Sequence, residues 1–344
     1  MKPTLHIDGS HLEGGGQVLR LSLALSALTH TPLHLTDLRG NRSCGGGLKP
    51  QHLTSTLALA RLCGTDVEGA ERGSREIKFI PAGPNEGDAS ERLVEERVLD
   101  GKRVKVALSS GVEAVRLIIA GGTNVPTSPS FDYLMSVLFP MLEKIGIPPI
   151  KATLDKRDWV AGRADVGEVV FDITPLMLGS VLDAFKLRKR WVVVKVEVTV
   201  LAPGHEAQKL VVKMVTTELK ERMPRTDVKV IESEDSRHKN RWYLLLVAIT
   251  DSGFRLGRDR LSHGKAKDGK TGETMLVSRV VKELEEVLSS KEDCVDEYMA
   301  DQLVVFQSLA KEICKIDLGS GKGANFAHEI GTLGCEEDIE RGLR

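Results

Sequence analysis

Segments patterned like strands alternate with segments patterned like helices along nearly the whole chain, which restricts it to layered α/β architectures. A short strand is predicted at Thr4–Asp8, and a glycine run leads from it into an apolar helix over Val18–Leu28. A strand at Leu33–Arg39, a glycine-rich loop, a helix at Pro50–Leu62 and a strand at Glu76–Ile80 complete a first β-α-β-α-β unit.

Residues 83–103 change character: they are polar, carry an acidic-basic helical piece and read as a solvated excursion. Apolar patterning returns at Val104–Leu108, and Asp132–Ile145 reads as an amphipathic helix stopped by Gly146 and the Pro148–Pro149 pair. Gly167–Ile173 reads as a strand. After the basic stretch Lys186–Arg190 comes a β-branched strand, WVVVKVEVTVLA, then a helix at His205–Arg222 and strands at Asp227–Ile231 and Trp242–Ile249. This β-α-β-β block, 186–263, has the size of a small inserted domain, with 1–185 and 264–344 forming the larger one around it. Further helices are expected at Glu273–Leu288 and Val295–Ile313.

Composition sets limits on the function. Hydrophobic residues at 41% and charged residues at 28% suit a globular protein with a true core, while a formal net charge of −1 argues against gripping many phosphates by bulk electrostatics. Contact with nucleic acid would have to be confined to a small basic pocket, and composition leaves open that there is none. The cysteines, Cys44, Cys63, Cys294, Cys314 and Cys335, are scattered and odd in number, which points to a reducing compartment, cytoplasmic or nuclear. No apolar run reaches membrane-spanning length, so no membrane partner is expected.

Three segments carry residues suited to binding. EGGGQVLR, Glu13 to Arg20, puts glycines between a strand and a helix, where backbone N–H groups can converge on an anion; the same glycines would also serve a plain tight turn. Glu13 can hold a divalent cation or a ribose hydroxyl, and Arg20 can reach a phosphate from inside the helix. LRGNRSCGGGLKPQHL, Leu38 to Leu53, gathers Arg39, Arg42, Lys49, Gln51 and His52, donors suited to a terminal phosphate or to a solvated basic turn. VDEYMADQL, Val295 to Leu303, places Tyr298, Asp301 and Gln302 on one helix face, either a nucleoside-binding face or an ordinary polar one.

Taken in order, IDGSHLEGGGQVLRLSLALSAL, RGNRS…GLKPQHL, LCGTDVEGAERGSREIKFIPAG, GGTNV…PSFDYL and VDEYMADQLVVFQSLA resemble the RNA 3′-terminal phosphate cyclases over nearly the whole chain. The resemblance implies an α/β fold of repeated β-α units, of the cyclase and enolpyruvyl transferase type, with a small inserted α/β domain. It implies ATP-dependent conversion of an RNA 3′-phosphate, at a single-stranded end, to a 2′,3′-cyclic phosphate through adenylylated intermediates, with Mg2+ or Mn2+. By matching position, Glu13 becomes a metal contact and, with Gln17, Asp132, Tyr298, Asp301 and Gln302, part of the nucleotide and metal site. Arg20, Arg39, Arg42, Gln51 and His52 become contacts for phosphate or the RNA end.

The chain departs from the family in three places. The family's nucleophilic histidine follows the DQL helix, where this chain reads DLGSGKGANFAHEIG, with Gly319–Gly321 at that position and His328 the nearest imidazole. The family's glycine-serine turn into an apolar helix should fall between Pro81 and Gly121, where this chain carries the polar excursion. The family's triple glycine is AGRADVGEV here. These departures favour a second reading, a catalytically degenerate relative that binds RNA or nucleotide as an assembly factor. A third pattern, GKAKDGKT at Gly264–Thr271, matches the phosphate-loop spacing, but the preceding RLGRDRLSHG reads as a polar connection and not as the required strand.

Overall fold

The computed structural model describes residues 2–10, 16–41, 45–82, 93–97, 103–108, 115–126, 128–159, 166–177, 180–190, 192–262, 272–290 and 293–317. It is a mixed α/β structure in two compact units, one made of Met1–Thr123 with Ile150–Pro175, the other of Asn124–Pro149 with Leu176–Arg344.

The first unit begins with β1 (Leu5–Asp8), α1 (Gly16–Thr29), β2 (Leu33–Thr36), α2 (Pro50–Leu62), β3 (Asp66–Glu68) and β4 (Ile77–Ile80). These strands form a sheet in the order β1-β2-β4-β3, with β1 parallel to β2 and the other pairs antiparallel. Period-two patterning decides its faces. Leu33, Leu35, Ile77 and Phe79 are buried with Leu19 and Leu23 of α1, each contributing about 1.5–3 kcal/mol. Alternate positions, including His34 and Lys78, point the other way. The strand expected to run to Arg39 stops at Thr36, because Asp37 and Arg39 take left-handed backbone angles (φ 43° and 59°) that no ladder accommodates.

A second sheet follows the order β5-β6-β7-β9-β8, built from β5 (Leu93–Arg97), β6 (Arg103–Leu108), β7 (Val115–Gly121), β8 (Ile150–Lys156) and β9 (Gly167–Ile173), all antiparallel. The acidic-basic helical piece expected within 83–103 is therefore corrected: Leu93–Arg97 is a strand, laddered from Leu93↔Ala107 to Arg97↔Arg103. Pairing with a β-prone neighbour outweighs a local charge pattern that by itself suits a helix.

In the second unit, α3 (Phe131–Tyr133) runs through a π-helical turn, Leu134–Leu138, into α4 (Phe139–Lys144). The remaining elements are β10 (Lys186–Leu187), β11 (Val193–Ala202), α5 (Gly204–Arg222), β12 (Asp227–Asp235), β13 (Trp242–Thr250), β14 (Arg255–Ser262), α6 (Gly272–Ser289), α7 (Glu297–Leu309) and β15 (Lys315–Ile316). The main sheet is β12-β11-β13-β14, and β10 pairs with β15. Val196, Val198 and Val200 of β11 and Leu244 and Leu246 of β13 form a core with Val211, Val215 and Leu219 of α5. Leu276, Val277, Val280, Val281 and Leu284 of α6, at helical spacing, close the same core. The buried Arg190 donates to the carbonyls of Leu288 (3.0 Å) and Ser290 (2.6 Å), which satisfies the C-terminal end of α6.

RLGRDRLS, expected to be a polar connection, is the edge strand β14, antiparallel to β13. Its arginines, of which Arg258 is buried, find carboxylates: Arg255 pairs with Glu197 (3.1 Å), Arg258 with Glu297 (3.6 Å), and Arg260 with Glu283. The phosphate-loop pattern does follow a strand and precede α6, yet an antiparallel edge strand is not the buried strand such a loop leaves. Its residues 264–271 lie outside the described residues. The last helix, expected over Val295–Ile313, ends at Leu309; Ala310 bridges to Leu182 and the chain re-enters a strand.

Candidate phosphate and nucleotide sites

In the first unit the chemistry gathers where two helices begin. Lys49 occupies the extended N-cap of α2, and Pro50 at the first helical position presets the turn. His52, in that first turn, is 4% exposed. Its Nδ1 accepts from the Lys49 backbone N–H at 3.3 Å, so in the neutral ring the proton resides on Nε2.

Gly16 opens α1 and explains the end of the glycine run. A Cβ there would collide with His52 Nε2 and stand 3.1 Å from Arg20 Nη1. Only glycine lets the first turn of α1 approach the His52 ring so closely. The loop bringing Arg39 is fixed in the same manner. Gly47 N–H donates to Leu38 O (2.7 Å) and Leu48 N–H to Ser74 O (2.9 Å). Gly47 has φ 77°, and a Cβ on it would strike the Gly73 carbonyl.

Burial first, then the charges of Arg39, Arg20 and Lys49, lowers the pKa of His52 from 6.5 to about 4. At neutral pH this is an uncharged donor ringed by three cations, a field that favours an incoming anion. An NMR pH titration should place the His52 midpoint near 4, and Arg39→Ala should move it upward. A midpoint at the ordinary 6.5 would show that neither burial nor the cations act on the ring. Gln17 is half-buried on the first turn of α1 and Gln51 exposed on that of α2. Glu13 and Arg42 lie outside the described residues.

In the second unit the expected face of α7 is present. Tyr298 is 44% exposed, Asp301 half-buried and Gln302 exposed. The Tyr298 ring meets Tyr133 edge to face, with centroids 6.0 Å apart, and the Arg258 guanidinium lies 5.1 Å from its centroid. Burial, and then the charge of Glu297, raises the pKa of Asp301.

Beneath this face lies a hydrogen-bonded group that the sequence did not single out. Asp296 caps α7 through Met299 N–H (3.0 Å), accepts from Gly257 N–H of β14 (2.8 Å) and from Tyr133 Oη (2.6 Å). Asp259 accepts from Ser130 Oγ and Tyr243 Oη, both at 2.9 Å. Burial pushes both carboxyls above their usual value. Asp132, expected in the nucleotide site, is buried and accepts from Asn124 Nδ2 at 3.0 Å. The only sequence signal for Asp296 was its place three residues before Met299, the spacing of a helix cap.

Among the described residues no group of three or more His, Cys, Asp or Glu side chains can hold a metal ion. The Mg2+ or Mn2+ implied by resemblance therefore finds no fit among the described residues. His328 and Gly319–Gly321 lie outside the described residues. No helix of the described residues is long and apolar enough to cross a membrane.

The sequence model of the family described as RNA 3′-terminal phosphate cyclase matches residues 11–330. A curated RNA 3′-terminal phosphate cyclase from Pyrococcus furiosus is 33% identical over 312 residues, 88% of this chain and 85% of the relative. Proteins of the same name from Pyrococcus abyssi and Thermococcus kodakarensis are 34% and 35% identical, covering 87% and 89% of this chain and 84% and 85% of their own lengths. Matched over nearly its whole length, and with full-length relatives above 30% identity, the chain belongs to the RNA 3′-terminal phosphate cyclase family.

Proposed function

We propose that the protein acts on RNA bearing a 3′-phosphate and converts that end to a 2′,3′-cyclic phosphate, with ATP as the activating co-substrate. The observation that carries the reading is the neutral His52 held among Arg20, Arg39 and Lys49 where α1 and α2 begin. A terminal phosphate is a dianion with no good leaving group, so cyclisation needs it activated. Transfer of an adenylyl group from ATP to the protein, releasing pyrophosphate, and then from the protein to a phosphate oxygen, which frees the protein again, supplies one. The neighbouring 2′-hydroxyl then attacks phosphorus, loses its proton, and the bond to AMP breaks. Arg20 and Arg39 offset the charge of the phosphate, His52 Nε2–H donates to one of its oxygens, and Gln51 borders the end. Tyr298, Asp301 and Gln302 hold the nucleotide by ring stacking and hydrogen bonds, with Asp132 fixing the structure behind them. Gln17, Glu13 and Arg42 belong to the same assignment by sequence position. The small inserted block at 186–263 is part of this proposal, supported by the continuous sheet from β11 to β14.

A second reading, RNA-end binding without chemistry, is favoured by one observation: no histidine occurs between Asp317 and Ala327. Two measurements separate the two. Incubation with α-labelled ATP followed by a denaturing gel should give an acid-labile protein adduct, and 3′-phosphorylated RNA should become cyclic, if the chain is a cyclase. Selective binding of 3′-phosphorylated over 3′-hydroxyl RNA with neither adduct nor product supports the second reading. In both, Arg20→Ala should weaken binding of the phosphorylated end about tenfold or more, the worth of one charge-assisted hydrogen bond. Equal weakening for both RNAs sinks the pocket assignment.

A further inference from the structure

The open face of the first sheet carries a side-chain group that the cyclase reading leaves unused. His6 on β1 and His34 on β2 are direct partners in the parallel ladder. Their rings meet edge to face, with centroids 5.0 Å apart, and their Nδ1 atoms are 3.2 Å from each other. On its far side, His34 Nε2 lies 2.6 Å from Glu76 Oε1. A carboxylate can only accept, so Nε2 carries the proton of the neutral ring and the Nδ1 lone pair faces His6.

Two features of this arrangement are those of metal ligation. Nitrogen ligands at about 2.0–2.1 Å from a zinc ion, opened to a tetrahedral angle, stand about 3.3 Å apart. The two Nδ1 atoms are set at nearly that span. A ligating imidazole also commonly donates its other N–H to a carboxylate, which fixes its tautomer and raises its basicity. Glu76 does this for His34. The nearby cation Lys78 is paired with Glu68 at 3.2 Å, which offsets its repulsion of an arriving ion. His6 and Glu76 are exposed, so the group is reachable from solvent.

We propose that His6 and His34 form a two-histidine site for a borderline divalent transition metal such as Zn2+ or Ni2+, with Glu76 orienting His34 and water completing the coordination. Imidazole ligands suit these ions and not Mg2+ or Ca2+. The ion takes the Nδ1 lone pair of each ring, so neither Nδ1 carries a proton in the bound state. The site stands apart from the proposed cyclase chemistry and does not depend on it.

The test is calorimetric titration of the full chain with ZnCl2 and, separately, NiCl2 at pH 7.5, with MgCl2 as control. One bound ion is expected for each transition metal and none for Mg2+. His6→Gln and His34→Gln should each abolish that binding, and Glu76→Ala should weaken it about 10- to 100-fold, the loss typical when a ligand's hydrogen-bond partner is removed. Circular dichroism checks that these substitutions leave the fold intact. Binding that persists unchanged in His6→Gln would overturn the proposal by locating the ion elsewhere. No binding by the wild-type chain would also overturn it, leaving a simple hydrogen bond between the two rings.

Discussion

Asp296→Ala should lower the stability of the second unit by about 3–5 kcal/mol, because it removes one helix cap and strands two buried donors, each worth about 1–3 kcal/mol. The donors are the Tyr133 hydroxyl and the Gly257 N–H, which bond Asp296 at 2.6 and 2.8 Å. A fall in Tm on the order of 10 °C follows. Asp296→Asn, which retains an acceptor for the Met299 N–H, should fall less. The pH dependence has a definite sign. Burial raises the folded-state pKa of Asp296 above the ordinary 3.8, so the native state binds that proton more tightly than the unfolded chain. Its contribution is present in full below 3.8 and is lost as pH rises through the raised value. Thermal melts from acid to neutral pH should show that loss in the wild type and not in Asp296→Asn. Equal Tm values for wild type and Asp296→Ala would mean that water replaces the carboxylate without cost.

The second large effect is functional. Gly16→Val would drive a branched side chain into the His52 ring and against Arg20 Nη1, so both donors should leave the pocket. Losing two charge-assisted contacts, each about 1.5–3 kcal/mol, predicts at least about a hundredfold weaker binding of RNA with a 3′-phosphate. Binding of 3′-hydroxyl RNA should change little. The effect separates a packing glycine from a merely flexible one, since a residue needed only for turn flexibility would tolerate alanine. Gly16→Ala should show an intermediate loss, and wild-type affinity in Gly16→Val would remove the pocket from the mechanism.

Much of the secondary structure was legible because local and tertiary preferences agree. The helix Pro50–Leu62 and the strand Gly167–Ile173 have the predicted bounds, each marked by Pro or Gly punctuation and clean apolar spacing. Leu93–Arg97 and Arg255–Ser262 were misread because their charged residues suit solvent, and only ladder partners and, for the second, paired carboxylates make them strands. The π-helical turn at Leu134–Leu138 has no periodicity signature of its own. In the site, the basic residues were visible as a cluster on one loop, while the approach of Gly16 to His52 is long-range packing. Asp296 escaped notice because its role depends on Tyr133 and Gly257, which are remote in sequence.

The strand order β5-β6-β7-β9-β8 has a consequence for synthesis on the ribosome. β9 is the last of the five to be translated, yet it is hydrogen-bonded between β7 and β8. Until Ile173 has emerged, the backbone of Val115–Gly121 presents one unpaired edge to solvent or to a neighbouring nascent chain. At about 5–20 residues per second, the interval between the emergence of β7 and that of β9 lasts several seconds. A ribosome stalled within that window would release an adhesive sheet edge, so steady elongation through this stretch helps keep the nascent protein apart from its copies.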